Sequence, residues 1–338
     1  MKILTPSYSD FQFKMDELVS ASSAHPIYHS NHINYYRSTH NLDCLQDYST
    51  IVLDNNETPV VGIIAASFRD QELNKLFLSY FANPAALLIS EIQPAELINE
   101  ALVLLNRHFE SNRFANVLSK SDFSIRVYGS QDKQKNSEFL ELILNSANKI
   151  DVEFERIIDL DLSNDRIRKE FSKSVIAAEK QYDKAKTKTQ IVCATDNKKL
   201  ISDSIRNLQT LHFASAGRFT RSSESWAIQE QQIQDGSMII VNGFVEDKNV
   251  HGSLFLLSNK SAYYGVSANI FQPGRSVSHA FLVRTIFFLK EIGIERLYLG
   301  NQYENLRGVS DIKILNISKF KSFFGGFIKP NLVIVNET

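Results

Sequence analysis

The sequence predicts an α/β (α+β) protein of two tandem domains, each a mixed sheet flanked by helices. Three observations predict it. The chain has 338 residues, more than a single hydrophobic core usually organises. Runs of β-branched and aromatic residues, broken by turn residues, alternate with stretches of helical period. One order of elements also occurs twice: hairpin, third strand, helix, strand.

In the first copy, residues 51–54 read as a short apolar strand. Asn55, Asn56, Glu57 and Thr58 form a turn, and residues 59–66 and 75–81 are the next two strands. Helical spacing over 94–109 puts Leu97, Ala101, Leu104 and Leu105 on one face, and a strand over 123–128 follows. In the second copy the strands fall at 238–245, 250–257 and 261–268, with a turn at 246–249. A helix over 278–292 carries Phe281, Leu282, Thr285, Ile286 and Leu289 on its apolar face, and a strand over 296–299 closes the copy. Gly62 and Gly252 occupy similar places, each shortly after a hairpin turn. The boundary falls between the copies, giving domains 1–150 and 151–338.

A strand over 154–160 follows that boundary. Ser163 then caps a long helix over 163–186, with Asp165 in its first turn. Ile167, Phe171, Val175 and Ala178 form its apolar stripe, while Arg166, Arg168, Lys169, Lys173 and Lys180 lie mostly off it. Helices over 198–214 and 223–235 lead into the second sheet, and a strand over 331–335 ends the chain.

Composition narrows the function. A net charge of −1 argues against a protein dedicated to nucleic acid, and no DNA partner is expected. No apolar run approaches the roughly 20 residues that span a bilayer, and the first residues lack a signal peptide, so a cytoplasmic location is expected. Cys44 and Cys193 are too few for a disulfide framework and are expected as small buried residues. His25, His29, His32 and His40 cluster, but no Cys or carboxylate completes a first shell at metal-ligand spacing, so no metal is expected. Walker, G-x-G-x-x-G and G-x-S-x-G patterns are absent.

Three segments hold candidate chemistry. After Gly217 come Arg218, Arg221, Glu224 and the only tryptophan, Trp226. Arginines just before a helix start can join backbone N–H groups in holding a phosphate or carboxylate. An indole face suits a sugar or base, or else anchors a core, with Ser222 or Ser223 as helix cap. The second segment runs from Tyr263 to His279. Tyr264, Ser267 and Asn269 lie at the end of a strand, and Arg275 lies in the loop before a helix whose first turn holds His279. Arg275 is placed to hold an anion there, and His279 suits either a general base or a structural polar role. The third segment, 318–326, reads as a tight glycine turn carrying Lys321, with Asn301 after the preceding strand. A lysine there can stabilise an oxyanion, or be a solvated hairpin residue.

The basic helix at 166–186 with the strand after it, the Leu211–Trp226 block, the YYGVSA strand and the terminal FKSFFGG together resemble the FemAB-like acyltransferases of the GNAT superfamily. The resemblance is clearest from about Ile158 onward. It implies tandem GNAT-like domains and transfer of an acyl or aminoacyl group. The better-known members move amino acids from aminoacyl-tRNA onto peptidoglycan precursors. The family's F-K-x-x-F-G segment matches Phe320 to Gly325, so its lysine role falls on Lys321. The strict pyrophosphate motif Q/R-x-x-G-x-G/A of acetyl-CoA enzymes is missing, as is the coiled-coil arm of some tRNA-dependent members.

The expectation is therefore an N-acyltransferase with acyl-CoA as donor. Its acceptor is the amino group of a nucleotide-linked amino sugar, or of another precursor of the cell envelope or a surface polysaccharide. One alternative is a FemX-type transferase using aminoacyl-tRNA. Another is a non-catalytic ligand-binding protein on a GNAT scaffold.

Overall fold

The computed structural model describes residues 1–39, 44–70, 75–80, 83–111, 114–129, 138–182, 186–270, 277–303 and 311–337. The chain forms two compact units. One is Met1–Glu153 with Pro330–Thr338, and the other is Phe154–Lys329. The sequence reading keeps the last strand in the second domain, whereas Pro330–Thr338 packs with the first unit.

In chain order the first unit holds β1 (Lys2–Leu4), α1 (Phe11–Ala21), α2 (Ser30–Thr39), β2 (Cys44–Asp47), β3 (Thr50–Leu53), β4 (Pro59–Ile64) and β5 (Ala66–Asp70). It continues with β6 (Lys75–Ser79), β7 (Ala85–Ile89), α3 (Ala95–Ser111), α4 (Phe114–Leu118), β8 (Ser121–Tyr128) and α5 (Glu138–Asn145). Strand β9 (Lys149–Asp159) leads out of it into the second unit. There follow α6 (Asn164–Glu170), α7 (Lys173–Tyr182), β10 (Thr187–Val192), α8 (Lys198–Ala216), α9 (Ser223–Gln234), β11 (Met238–Val245), β12 (Lys248–Ser258) and β13 (Ser261–Asn269). Then come α10 (Val277–Glu291), β14 (Arg296–Asn301), α11 (Ile312–Ser322) and β15 (Phe327–Asn336).

The sheet of the first unit runs β1-β3-β4-β7-β8-β15. Strand β5 continues β4, and β6 precedes β7, so the four make one long hairpin. It pairs Ala66 with Ser79 before an interruption and Ile64 with Ala86 after it. The third strand at 75–81 is thus the first part of a longer interrupted strand, whose second part, β7, has every residue buried. Side chains alternate across a strand. A Cβ on Gly62 would meet Leu18 of α1, while Val61 and Ile63 join Ile98 and Leu105 of α3 in the core, so α1 and α3 cover opposite faces.

The sheet of the second unit runs β9-β14-β13-β12-β11-β10. Ile239 and Val241 pack with the α7 and α10 core on one face, and Met238 and Ile240 pack with the α8 and α9 core on the other. Both units therefore repeat one order: strand, two helices, an antiparallel hairpin, a third strand, a helix and a parallel strand.

Two expectations need correction. The helix read over 163–186 is two helices. Ser163 caps α6 as expected, but Phe171 leaves the helix with ψ 137° and inserts its ring beside Phe287 and Phe324. The cysteines are not both buried: Cys44 is exposed and Cys193 is partly buried. Among the described residues no cluster suits a metal ion, and no helix is long and apolar enough to cross a membrane.

Candidate active site

The expected hairpin around Lys321 is the end of a helix. Asp311 caps α11 by accepting from the backbone N–H of Lys313 and Ile314, and the helix runs to Ser322. Gly325 and Gly326 stop it with φ of +70° and +73°. A Cβ on Gly326 would lie 2.2 Å from the Ile157 carbonyl oxygen, so only glycine fits there. The helix is pinned at two points. Tyr303 N donates to Ser318 Oγ at 3.0 Å, and Gln302 Nε2 donates to the Ser318 carbonyl at 3.2 Å. Arg156, almost buried, donates from Nε to Gln302 Oε1 at 2.9 Å and from Nη1 to the Gly325 carbonyl at 2.7 Å.

These anchors aim Lys321 at the end of β14. Its Nζ donates to the Asn301 carbonyl at 3.1 Å. Gly300, at φ +83°, is the close neighbour. A Cβ built there would lie 3.3 Å from Lys321 Nζ, 3.2 Å from Tyr263 Cε2 and 3.6 Å from Tyr263 Oη. The ammonium, the phenol and the glycine thus share one spot. Burial lowers the Lys321 pKa to about 8, with the charge of Glu155 acting the other way. Glu155 is buried on β9 opposite Asn301.

The same spot is where two strands part. Parallel β13 and β14 pair only over Ser261–Tyr263 with Arg296–Tyr298. Beyond this, Gly265 is an extra residue in β13 between Tyr264 and Val266, which pair with Phe255 and Leu254. Strand β13 runs on to Asn269 with β14 no longer alongside. A bulge bends and twists a strand. Lys321 Nζ lies near the point where this pairing ends.

The other sequence candidates fall in distinct places. Tyr264 packs on Phe255 with ring centroids 5.1 Å apart. Burial raises its phenol to about 12, with a Ser267 hydrogen bond acting against this. Ser267 and Asn269 are exposed beyond the bulge. Asn269 Oδ1 is bonded to Nδ1 of buried His251, whose Nε2 lies 3.0 Å from Ser253 Oγ. Burial brings His251 to about 4, so the ring is neutral. His279 is buried among aromatic rings, stacked on Phe320 at 5.2 Å, with Phe323 and Phe324 each at 5.7 Å. Arg275 lies outside the described residues.

Arg218, Arg221 and Trp226 do come together, with His212 and Phe219, around a cavity of about 150 Å³. Trp226 is buried in the core, and the Arg221 guanidinium lies 5.7 Å from its ring centre. Ser222 is the cap of α9, and Glu224 is exposed in its first turn. The His212 pKa is lowered by burial and then by the charges of Arg221 and Lys313, so this corner is electropositive. Arg168 of the basic helix has a packing role, with its guanidinium 4.3 Å from the Phe287 ring centre and 3.3 Å from Glu179.

Sequence reasoning missed Tyr263, Gly300, Glu155 and Arg156 as neighbours of Lys321. Gly300 carried a signal, a glycine closing an apolar strand. The other three are brought in by strand register alone.

In fold the chain is similar to FemX, with 10% identity, 99% of this chain and 97% of that chain covered, and a TM-score of 0.68. It is also similar to the C-terminal DUF2156 domain of a putative lysylphosphatidylglycerol synthetase from Agrobacterium fabrum, with 11% identity, 98% and 93% covered, and a TM-score of 0.58. L-PGS from Bacillus licheniformis follows at 10% identity, 96% and 91% covered, and a TM-score of 0.50. No family model and no curated protein matches the sequence. At these identities the fold is what is shared.

Proposed function

We propose that the chain is an N-acyltransferase that moves an acyl group from an activated donor, acyl-CoA in the first instance, to an amino group on an amino sugar or other cell-envelope precursor. The observation that carries this is Lys321 Nζ, half-buried and aimed at the point where β13 and β14 part. The β13 edge beyond Tyr263 offers backbone N–H and C=O groups to an extended donor, in the manner of strand addition. The acceptor amine attacks the acyl carbonyl, and the carbon–sulfur bond of the thioester breaks. The thiol leaves with a proton, and the amine nitrogen loses one. The Lys321 ammonium stabilises the oxyanion formed between these events, and Tyr263 Oη lies beside it. Arg218 and Arg221 supply the positive corner for a phosphate or carboxylate of the substrate, and Ser267 and Asn269 line the open end of β13.

The test is release of free coenzyme A from a panel of acyl-CoA donors in the presence of amino sugars, for the native chain and Lys321→Met. Turnover by the native chain and its loss in the variant are expected. Equal turnover in both would remove Lys321 from the chemistry. A second reading, an aminoacyl ester donor on tRNA, is favoured by the fold likeness to FemX and by the basic residues of α6. Transfer that ribonuclease abolishes would select it.

A further inference from the structure

A buried polar relay lies behind the open end of β13. Its members are Ser253 and His251 on β12 and Asn269 on β13, all within the second unit. In the antiparallel ladder His251 stands opposite Asn269, and Ser253 stands opposite Ser267. His251 and Ser253 are 2% and 1% exposed, while Asn269 is exposed. The His251 ring stacks on Phe281 of α10, with centroids 5.1 Å apart and planes at 25°. Gly243, beside His251 on β11, makes room for that ring, because a Cβ there would lie 2.6 Å from Phe281 Cε2. The stack fixes the plane of the imidazole and so the directions of its two nitrogens. Nδ1 meets Asn269 Oδ1, and Nε2 lies 3.0 Å from Ser253 Oγ.

A proton count orders the relay. The ring is neutral, so it carries one N–H and one acceptor nitrogen. The oxygen of an amide only accepts. The proton therefore sits on Nδ1 and is donated to Asn269 Oδ1, and Nε2 accepts from the Ser253 hydroxyl. This turns the Asn269 oxygen inward. Its amide nitrogen, with two N–H donors, is left facing out and has no hydrogen bond to another described residue. An ordinary exposed asparagine can exchange its oxygen and nitrogen by rotation. Here rotation would break a bond to a buried ring, which is costly. Asn269 is the last residue of β13, well past Tyr263, where pairing with β14 ends.

We infer that the outward amide N–H of Asn269 donates to an uncharged carbonyl oxygen of the acyl donor, with His251 and Ser253 as positioning residues that hold it in that orientation. This rests on the acyl-transfer reading above. A donor group held rigid before binding loses little freedom when it binds.

Two measurements on the full chain test it. The first is nitrogen NMR of isotope-labelled protein, with His251 assigned by its absence in His251→Phe. A ring protonated on Nδ1 is expected, and a ring protonated on Nε2 would overturn the inference. The second is the KM for an acyl-CoA from the panel above and for the matching acyl-pantetheine, which lacks the nucleotide phosphates. Asn269→Asp keeps an oxygen for His251 and replaces the outward nitrogen with an acceptor. It is expected to raise both KM values about tenfold and to change kcat by less than about twofold. His251→Phe is expected to act in the same direction, with no further rise when combined with Asn269→Ala. If His251→Phe does not fold, Asn269→Asp and Asn269→Ala decide it. Turnover with an unchanged KM in Asn269→Asp would overturn this inference and leave the transfer reading intact. A rise confined to acyl-CoA would assign the contact to a phosphate and overturn the carbonyl. No release from any acyl-CoA by the native chain would overturn the transfer reading itself, and the donor named here with it.

Discussion

The two units share an order of elements and differ where the third strand meets the fourth. In the first unit, β6 pairs with β8 from Leu76 opposite Ser121 to Leu78 opposite Phe123. After the interruption β7 resumes that pairing from Ala85 opposite Ile125 to Leu88 opposite Tyr128. In the second unit the corresponding pairing stops at Tyr263 among the described residues. The first unit is zipped shut and the second is parted. Topology alone therefore does not make a site. What opens one is whether the chain returns to its partner after the bulge. In the proposed reading, a lysine from a separate helix supplies the chemistry at that parting.

The largest effect is expected at the closed seam. Gly129 has φ +97°, and a Cβ there would lie 1.8 Å from the Ile89 carbonyl oxygen. Gly129→Ala should cost about 4 kcal/mol, because backbone must move, and urea unfolding measures it. A cost under about 1 kcal/mol would show that the seam is looser than drawn. At the open seam, Lys321→Met should lower turnover about 100-fold while leaving the melting temperature almost unchanged. Melting that collapses together with activity would make Lys321 a structural residue.

His251 sharpens the contrast further. It sits opposite Asn269 and ties β12 to β13 beyond the bulge, where β13 lacks β14 on its other edge. Its folded pKa of about 4 lies below the unfolded value of about 6.5, so protonation favours the unfolded chain. Stability should fall as pH drops through this window, by about 2 kcal/mol at pH 5, and His251→Gln should flatten the decline. An unchanged slope would place the acid sensitivity elsewhere. The smallest effect is the alkaline limb of turnover. Lys321 loses its proton above about 8, so rate should fall about tenfold per pH unit there. Lys321→Arg should move this limb upward, and an unmoved limb would assign it to another group.

Much of this was legible in the sequence, and the gaps have physical causes. The hairpins and helices of the second unit follow from alternation and helical period, and α9 begins at Ser222, one of the two caps the sequence offers. The break in the long helix was not legible from its stripe. Ile167, Phe171, Val175 and Ala178 are all buried, as a single helix would bury them, but Phe171 reaches its ring partners only by leaving the helix. Ser172, which accepts from Val175 N at 3.4 Å, was the available sign of a restart. The glycine-turn segment offered Lys321 with two readings, and only the F-K-x-x-F-G resemblance favoured the chemical one. Tyr263 rather than Tyr264 stands beside it because adjacent strand residues point to opposite faces, and register across three strands decides which face matters. Glu155 lies far from Lys321 in sequence, and no local pattern joins them.

The place of β15 has a consequence for synthesis. Leu332 pairs with Val127, so the strand that completes the β8 edge is made only after the whole second unit. The first unit is thus completed after the second, although most of it precedes the second in sequence. Until then β8 holds an unpaired edge, the kind of surface that invites wrong partners. Loss of β15 would strike the first unit, although the whole second unit lies between them in sequence.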